Sequence, residues 1–199
     1  LSSASFIAVT GSSGKTTVKT LLGSLLKRYS KTYFSPQSYN NQYGVPLSIC
    51  NMNPNDEFGV FEVGMNRFNE IDKLSKIVKP QIGIITNVSE AHLENFRNTK
   101  DIAKAKSEII YNIKKDGTVI LNRDDKFFNY FKQIAKKNKI KTKSFGYSQY
   151  SDVKFLNIKK EQNNFILKFS IDKNNFKLNI NNKNKNNIMN ILCCITAIN

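Results

Sequence analysis

The residues Gly11-Ser12-Ser13-Gly14-Lys15-Thr16-Thr17 follow directly on an apolar run, Phe6 to Val9, and with Thr10 they read T-G-x-x-G-K-T. Two glycines at this spacing let the backbone turn several N–H groups into one concavity. A helix opening at Thr16 adds the positive end of its dipole. Lys15 supplies a mobile cation and Thr16 a hydroxyl suited to Mg²⁺, so the stretch fits the phosphates of a nucleotide. It is a tight variant of the general G-x-x-x-x-G-K-[ST] pattern, with Val9 where the first glycine would stand. The alternative is a strand-to-helix turn that uses glycine for its shape alone.

Other groups that could do chemistry also fall just after apolar runs. Glu62 closes "FGVFE", and "IGIIT" leads into "NVSEAHLENF", which carries His92, the single histidine of the chain. In an open parallel sheet, ligands sit beyond the carboxyl ends of the strands, so an acid and an imidazole placed there suit a divalent cation beside the phosphates. Taken alone, Glu62 could as well cap a helix or pair with a surface cation, and a lone histidine is more often structural. Lys104 and Lys106 read as exposed lysines on a helix. The segment "NRDD" at 122–125 is close to the N-K-x-D pattern that reads guanine, with Arg123 at the lysine.

Positioning these groups requires alternating strands and helices. Apolar runs at 6–9, 32–34, 59–63, 82–86, 118–121 and 142–145 predict strands, and amphipathic stretches at 16–28, 69–78, 100–113 and 125–137 predict helices. That alternation predicts an α/β fold: a mostly parallel sheet of the P-loop NTPase kind with helices on both faces. After Ser148 the pattern changes to three strands at 153–158, 165–171 and 176–180 with polar turns. These predict a small antiparallel three-stranded sheet, a subdomain of about 150–182, before a last helix near Asn187. "INNKNKNN" reads as a flexible turn.

Composition bounds the rest. The 199 residues suffice for one sizeable core or one domain with a small appendage. The first residue is Leu1 and the last, Asn199, falls inside a helical pattern, so a piece of a longer protein is expected. No signal peptide pattern or membrane-length apolar run occurs, and Cys50, Cys193 and Cys194 have no metal-ligand spacing, which makes a reducing cytoplasm the default. The net charge of +16 invites a nucleic-acid reading. Yet the lysines are scattered among asparagines, which favours a solvated basic surface that also attracts anionic small substrates. No nucleic acid, no membrane and a monomer are expected.

Taken in order, "TGSSGKTT", "YNNQYGVPL", "FEVGMNRFNEI", "TNVSEAHLENF", "IAKAKSEII" and "ILNRDD" resemble the central ATP-binding domain of the Mur ligases, from residue 6 to about 125. "NNIMNILCCITAI" resembles the family's H-N-x-x-N-x-x-A-A helix near the adenine site. Six ordered motifs are far more specific than any one. "NNQYGVP" and "GMNRFNEI" favour the member that adds D-Ala-D-Ala over its sister ligases and over folylpolyglutamate synthase.

The resemblance implies that an N-terminal and a C-terminal domain flank this one in the full protein. It implies ATP held by Gly11, Ser12, Ser13, Gly14, Lys15, Thr16 and Thr17, with Asn187 and Asn190 on the adenine side. Lys15 would contact the β- and γ-phosphates. Two Mg²⁺ ions are implied, one shared by Thr16 and Glu62 and a second held with the help of His92. Lys106 matches a position that is N-carbamylated in several members, where the lysine becomes a carboxylate-like anion; an ammonium pairing with phosphate is the other reading. Lys15, His92 and Lys106 are thus the candidate catalytic residues. Asn40 and Asn41 match the substrate side. Ser38 replaces the usual asparagine two positions before Asn40, and Asn186 stands where a histidine is common.

The activity implied is a cytoplasmic ATP-dependent ligase of peptidoglycan precursor synthesis. ATP phosphorylates the terminal carboxylate of UDP-MurNAc-tripeptide, and the amine of D-Ala-D-Ala attacks the acyl phosphate. The chemistry is coherent, since a carboxylate becomes a good electrophile only when its oxygen can leave, and cations offset the repulsion between two anions. The isolated piece is expected to be inactive alone. The alternatives are another Mur-type ligase, a regulatory GTPase reading guanine through "NRDD", or a basic nucleic-acid-binding P-loop module.

Overall fold

Short runs of Ile, Val, Phe and Ala bounded by Gly, Pro and Asn cannot hide both faces alone, and they assemble into one sheet. A computed structural model describes residues 4–90, 95–161 and 164–199. The elements are β1 (Ser5–Thr10), α1 (Lys15–Leu26), β2 (Thr32–Phe34), α2 (Gly44–Cys50), β3 (Phe58–Glu62), α3 (Glu70–Val78), β4 (Ile82–Ile85) and α4 (Thr99–Ser107). A 3₁₀ turn (Glu108–Asn112) follows, then β5 (Thr118–Asn122), α5 (Phe128–Lys137), β6 (Lys141–Gly146), β7 (Val153–Glu161), β8 (Asn164–Ile171), β9 (Asn174–Ile180) and α6 (Lys185–Ile198).

The sheet has nine strands in the order β2-β3-β1-β4-β5-β6-β7-β8-β9. β1 to β6 are parallel, and β7, β8 and β9 form an antiparallel meander. The predicted α/β class and the antiparallel trio are both present. The trio does not stand apart, because Phe145 pairs with Val153 and Gly146 with Lys154 in a short parallel junction. One solvated face is what an antiparallel extension tolerates and a parallel core does not.

Strand alternation sorts the apolar side chains into two cores. Ala8, Phe61, Ile85 and Leu121 point toward α3, α4 and α5, with Ile71, Ile102 and Phe131 packed among them. Ile7, Val9, Val60, Ile84 and Ile120 point to the other face, against Val18 and Leu22 of α1 and Ile188 and Leu192 of α6. Both layers are closed at their centres, with Ala8, Val9, Val18, Leu22 and Leu192 fully buried.

Three boundaries depart from the periodicity. The helix expected over 100–113 leaves α geometry after Ser107, whose Oγ donates to Lys104 O at 2.6 Å. The next residue, Glu108, turns its carboxylate to the N-terminus of α3, accepting from Asn69 N at 2.8 Å and Asp72 N at 3.0 Å. The helix expected from 125 starts at Phe128, because Asp125 first closes a turn, its Oδ1 accepting from Phe127 N and its carbonyl from Phe128 N. An unexpected helix, α2, follows "YNNQY"; Asn41 Oδ1 accepts from Tyr43 N and Gly44 N, and Pro46 falls in its first turn, where no N–H is needed.

Candidate functional site

The chain leaves β1 toward one side of the sheet and β4 toward the other, so the carboxyl ends of these neighbours form the switch-point crevice. The loop 11–14 fills that crevice. Gly11 (φ +150°) and Gly14 (φ +81°) hold backbone conformations that a side chain disfavours. A Cβ on Gly11 would also collide with Thr86, and one on Gly14 with Asn190. Residues just past β4 clamp the loop. Thr86 Oγ1 donates to Ser13 O at 2.6 Å, Ser12 N donates to Asn87 O at 3.0 Å, and Ser13 N donates to Asn87 Oδ1 at 3.1 Å. Ser89 N adds a bond to Ser12 Oγ at 2.9 Å. The loop therefore stands preformed at the head of α1, whose first N–H groups have no intrahelical partner.

Beside the loop lies a compact polar cluster. Thr16 Oγ1 donates to Glu62 Oε2 at 2.7 Å, and Asn40 Nδ2 donates to Glu62 Oε1 at 2.8 Å. Glu62 closes β3 and is only 1% exposed. Lys15 Nζ donates to Gly11 O at 2.9 Å, folding back on its own loop. Burial lowers the pKa of Lys15, and the Glu62 charge partly restores it. Lys106 projects from α4 and is 2% exposed. Burial first, and the neighbouring Lys15 charge second, bring its pKa down to about 7. Among the described residues no hydrogen bond or ion pair engages its Nζ.

Two clefts flank the phosphate loop. The smaller, about 420 Å³, is lined by Gly11, Lys15, Asn40, Asn41, Tyr43 and Lys106, among others. The larger, about 760 Å³, takes Ser13, Gly14 and Thr17 from the loop side, and Tyr147, Asn186 and Asn190 from the far wall. The loop is thus a partition: Lys15 and Gly11 face one chamber, Gly14 and Thr17 the other.

Most of the expected site residues meet here. Gly11, Ser12, Ser13, Gly14, Lys15, Thr16 and Thr17 form the loop and helix head, Asn40, Asn41 and Lys106 border the smaller cleft, and Glu62 lies behind Asn40, bonded to it and to Thr16. Asn190 lines the larger cleft; Asn187 does not, and Asn186 does. His92 lies outside the described residues. Thr16 and Glu62 offer hard oxygen donors at the mouth of a phosphate loop, which fits Mg²⁺, an ion that takes one or two protein ligands and completes its shell with phosphate and water. Among the described residues no group of three or more His, Cys, Asp or Glu could hold a metal without such help.

Sequence reasoning overlooked the clamp residues Thr86 and Asn87, and Lys19. It also left Asn186 in doubt, although its i,i+4 spacing to Asn190 would have placed both on one helix face. The "NRDD" carboxylates are already engaged. Asp124 accepts from Tyr147 N at 2.6 Å and Ser148 N at 2.9 Å, and Asp125 accepts from Val88 N at 2.7 Å and Phe127 N at 2.8 Å. Both acids brace loops, which speaks against guanine reading.

The comparisons with known proteins agree with this geometry. A sequence model of the family described as "Mur ligase middle domain" matches residues 9–198. The UDP-N-acetylmuramoyl-tripeptide--D-alanyl-D-alanine ligase of Rickettsia prowazekii (strain Madrid E) is 39% identical over 156 residues, 78% of this chain and 35% of that protein. The crystal structure of MurF from Acinetobacter baumannii has a TM-score of 0.90 at 31% identity, covering 98% of this chain and 42% of that one. MurF ligase from Thermotoga maritima, solved in complex with ADP, has a TM-score of 0.89 at 29% identity, covering 98% of this chain and 45% of that one. This chain spans less than half the length of these relatives. With a matched stretch that runs from the phosphate loop to the end of α6, the chain belongs to the Mur ligase middle-domain family.

Proposed function

We propose that this chain is the ATP-binding domain of a ligase that joins D-Ala-D-Ala to UDP-MurNAc-tripeptide. The observation that carries the reading is the partition itself: a phosphate loop with one chamber on each side, and Lys15, Thr16 and buried Glu62 at the divide. ATP occupies the larger chamber with its triphosphate over the loop, and the acyl carboxylate enters the smaller one. An in-line transfer from the γ-phosphate to that carboxylate then crosses the partition at Lys15. The ADP bound to the Thermotoga relative supports a nucleotide at this loop.

Each residue has a task in this scheme. Lys15 exchanges Gly11 O for the β- and γ-phosphates, where its charge offsets the approach of two anions. Thr16 and Glu62 would hold one Mg²⁺, with Asn40 fixing the second oxygen of Glu62. Such an ion would supply positive charge for the phosphoryl oxygens. His92 is the proposed holder of a second ion. With a pKa of about 7, Lys106 is substantially unprotonated at neutral pH. Its nitrogen lone pair can add to CO₂, forming an N–C bond and releasing one proton, which yields a carbamate able to balance a nearby cation. Asn41 and Tyr43 line the acyl chamber. The flanking domains that supply the UDP contact and close over ATP are part of the same proposal.

The test is ATP-dependent phosphate release by the complete ligase containing this chain, with the two acceptor substrates supplied together and singly. Release is expected only with both present and with ATP preferred over GTP. Release independent of either peptide substrate, or a preference for GTP, refutes the assignment.

A further inference from the structure

Lys19 is out of place for a helix lysine. It sits on α1 one turn past Lys15, on the face that also buries Val18, Leu22 and Gly23, and it is 1% exposed. Its Nζ donates to Ser35 O at 2.6 Å and Gln37 O at 2.5 Å. A buried ammonium is costly to keep charged, and two backbone carbonyls recover part of that cost. Burial lowers its pKa, while the Glu62 charge acts in the opposite direction and marks the carboxylate as an electrostatic neighbour.

The loop that Lys19 grips runs from 35 to 38 and feeds the acyl chamber. Gln37 is held at φ +43°, a left-handed conformation that a glutamine adopts only under constraint. Ser38 Oγ lies 3.4 Å from Thr16 Oγ1. Glu62 N lies 3.5 Å from Ser35 Oγ, and two residues past Ser38, Asn40 bonds the Glu62 carboxylate. The two oxygens that meet Thr16 Oγ1, Ser38 Oγ and Glu62 Oε2, thus belong to or border this loop, and Lys19 anchors it to the helix that carries the phosphate-binding residues.

We propose that Lys19 is a positioning residue for the divalent cation that accompanies the nucleotide: by tying the loop 35–38 to α1 it sets the spacing of Thr16, Ser38 and the Asn40–Glu62 pair. The inference rests on the nucleotide reading above but concerns the cation shell and not the phosphates. The phosphate loop has its own clamp at Thr86 and Asn87, so the two functions are separable.

The experiment uses the full chain, ADP and Mn²⁺, with Mn²⁺ binding followed by electron paramagnetic resonance and ADP binding measured with and without the metal. In Lys19→Met, Mn²⁺ affinity in the presence of ADP is expected to fall about tenfold, while metal-free ADP affinity stays within about twofold. Equal losses in both, or no loss in either, overturn the role of Lys19. A wild-type chain that binds no ADP fails the nucleotide reading instead, which keeps the two failures distinct. Should Lys19→Met not fold, Lys19→Gln shortens the same side chain and replaces the ammonium that reaches two carbonyls by a neutral amide. A folded K19Q chain is expected to lose about threefold in Mn²⁺ affinity with its metal-free ADP affinity maintained, and unchanged Mn²⁺ affinity overturns the proposal.

Discussion

Replacing Lys106 by Met tests whether the amine at the smaller cleft is neutral when the domain is folded. Methionine matches the lysine stem in volume and can lie in the same channel without a charge. The ordinary lysine pKa of 10.5 falls to about 7 here, through burial and then through Lys15. At about 1.4 kcal/mol per pH unit, the folded state carries at most roughly 5 kcal/mol of penalty on the ammonium. Between pH 7 and 10.5 the unfolded chain holds one more proton at this site than the folded chain, so wild-type stability rises with pH across that window. Below pH 7 both states are protonated and the penalty is fully felt. Urea melts of wild type and K106M in CO₂-free buffer at pH 6.5 and pH 9.5 read the difference directly. The variant is expected to be more stable by about 2–5 kcal/mol at the lower pH, with most of that gap gone at the higher. Adding ¹³C-bicarbonate should then produce a carbamate carbon resonance in wild type and none in K106M. A gap between the two proteins that does not change with pH refutes the reasoning, because it places the amine in contact with solvent or a compensating charge.

Two further substitutions probe the chambers. Gly14→Ala puts a methyl group against Asn190 at a backbone position of φ +81°, and should weaken ADP binding by at least tenfold with a stability loss of about 1–2 kcal/mol, measurable by calorimetry. Gly146→Ala, at φ +151°, drives a methyl group into the Asp124 carboxylate that holds Tyr147 N and Ser148 N. It is expected to cost about 1–3 kcal/mol and to weaken nucleotide binding on the larger-chamber side while leaving Mn²⁺ affinity, once corrected for ADP occupancy, unchanged.

How much of this was legible in the sequence depends on the range of the interaction. The phosphate loop is local, a matter of glycine spacing between a strand and a helix, and Gly11 to Thr17 could be read directly. Glu62 was legible by position, since a carboxylate ending an apolar strand of a parallel sheet must lie at the ligand edge. Lys19 was not, because a lysine argues for exposure even on the face of Val18 and Leu22, and the loop that covers it lies some sixteen residues away. Lys106 was assigned on a motif, but a helix lysine is ordinarily taken as exposed; only the packing of α4 shows the burial. The antiparallel strands were legible as strands, whereas their attachment through Phe145 and Val153 depends on pairing that the apolar pattern does not specify. Helix α2 escaped because its seven residues include glycine and proline, both poor helix formers away from a first turn.

The charge balance near the loop gives the site its sign. Lys15, Lys19 and Lys106 are all withdrawn from solvent to some degree and act electrostatically on one another or on Glu62. The overall excess of +16 is spread over exposed lysines that salt screens within about 10 Å, and so contributes little to the interior of the site. The local imbalance is different, because one buried carboxylate faces more than one amine. Burial holds these lysines below their ordinary pKa, Glu62 opposes it at Lys15 and Lys19, and in CO₂-free buffer an arriving polyphosphate favours the charged form of Lys106, the one brought down to about 7. Nucleotide binding should therefore take up protons, and its affinity should fall as pH rises above neutrality. Calorimetry of ADP binding in buffers of differing ionisation enthalpy measures that uptake. A proton count of zero at pH 7.5 in CO₂-free buffer would mean that Lys106 does not change protonation when the nucleotide binds.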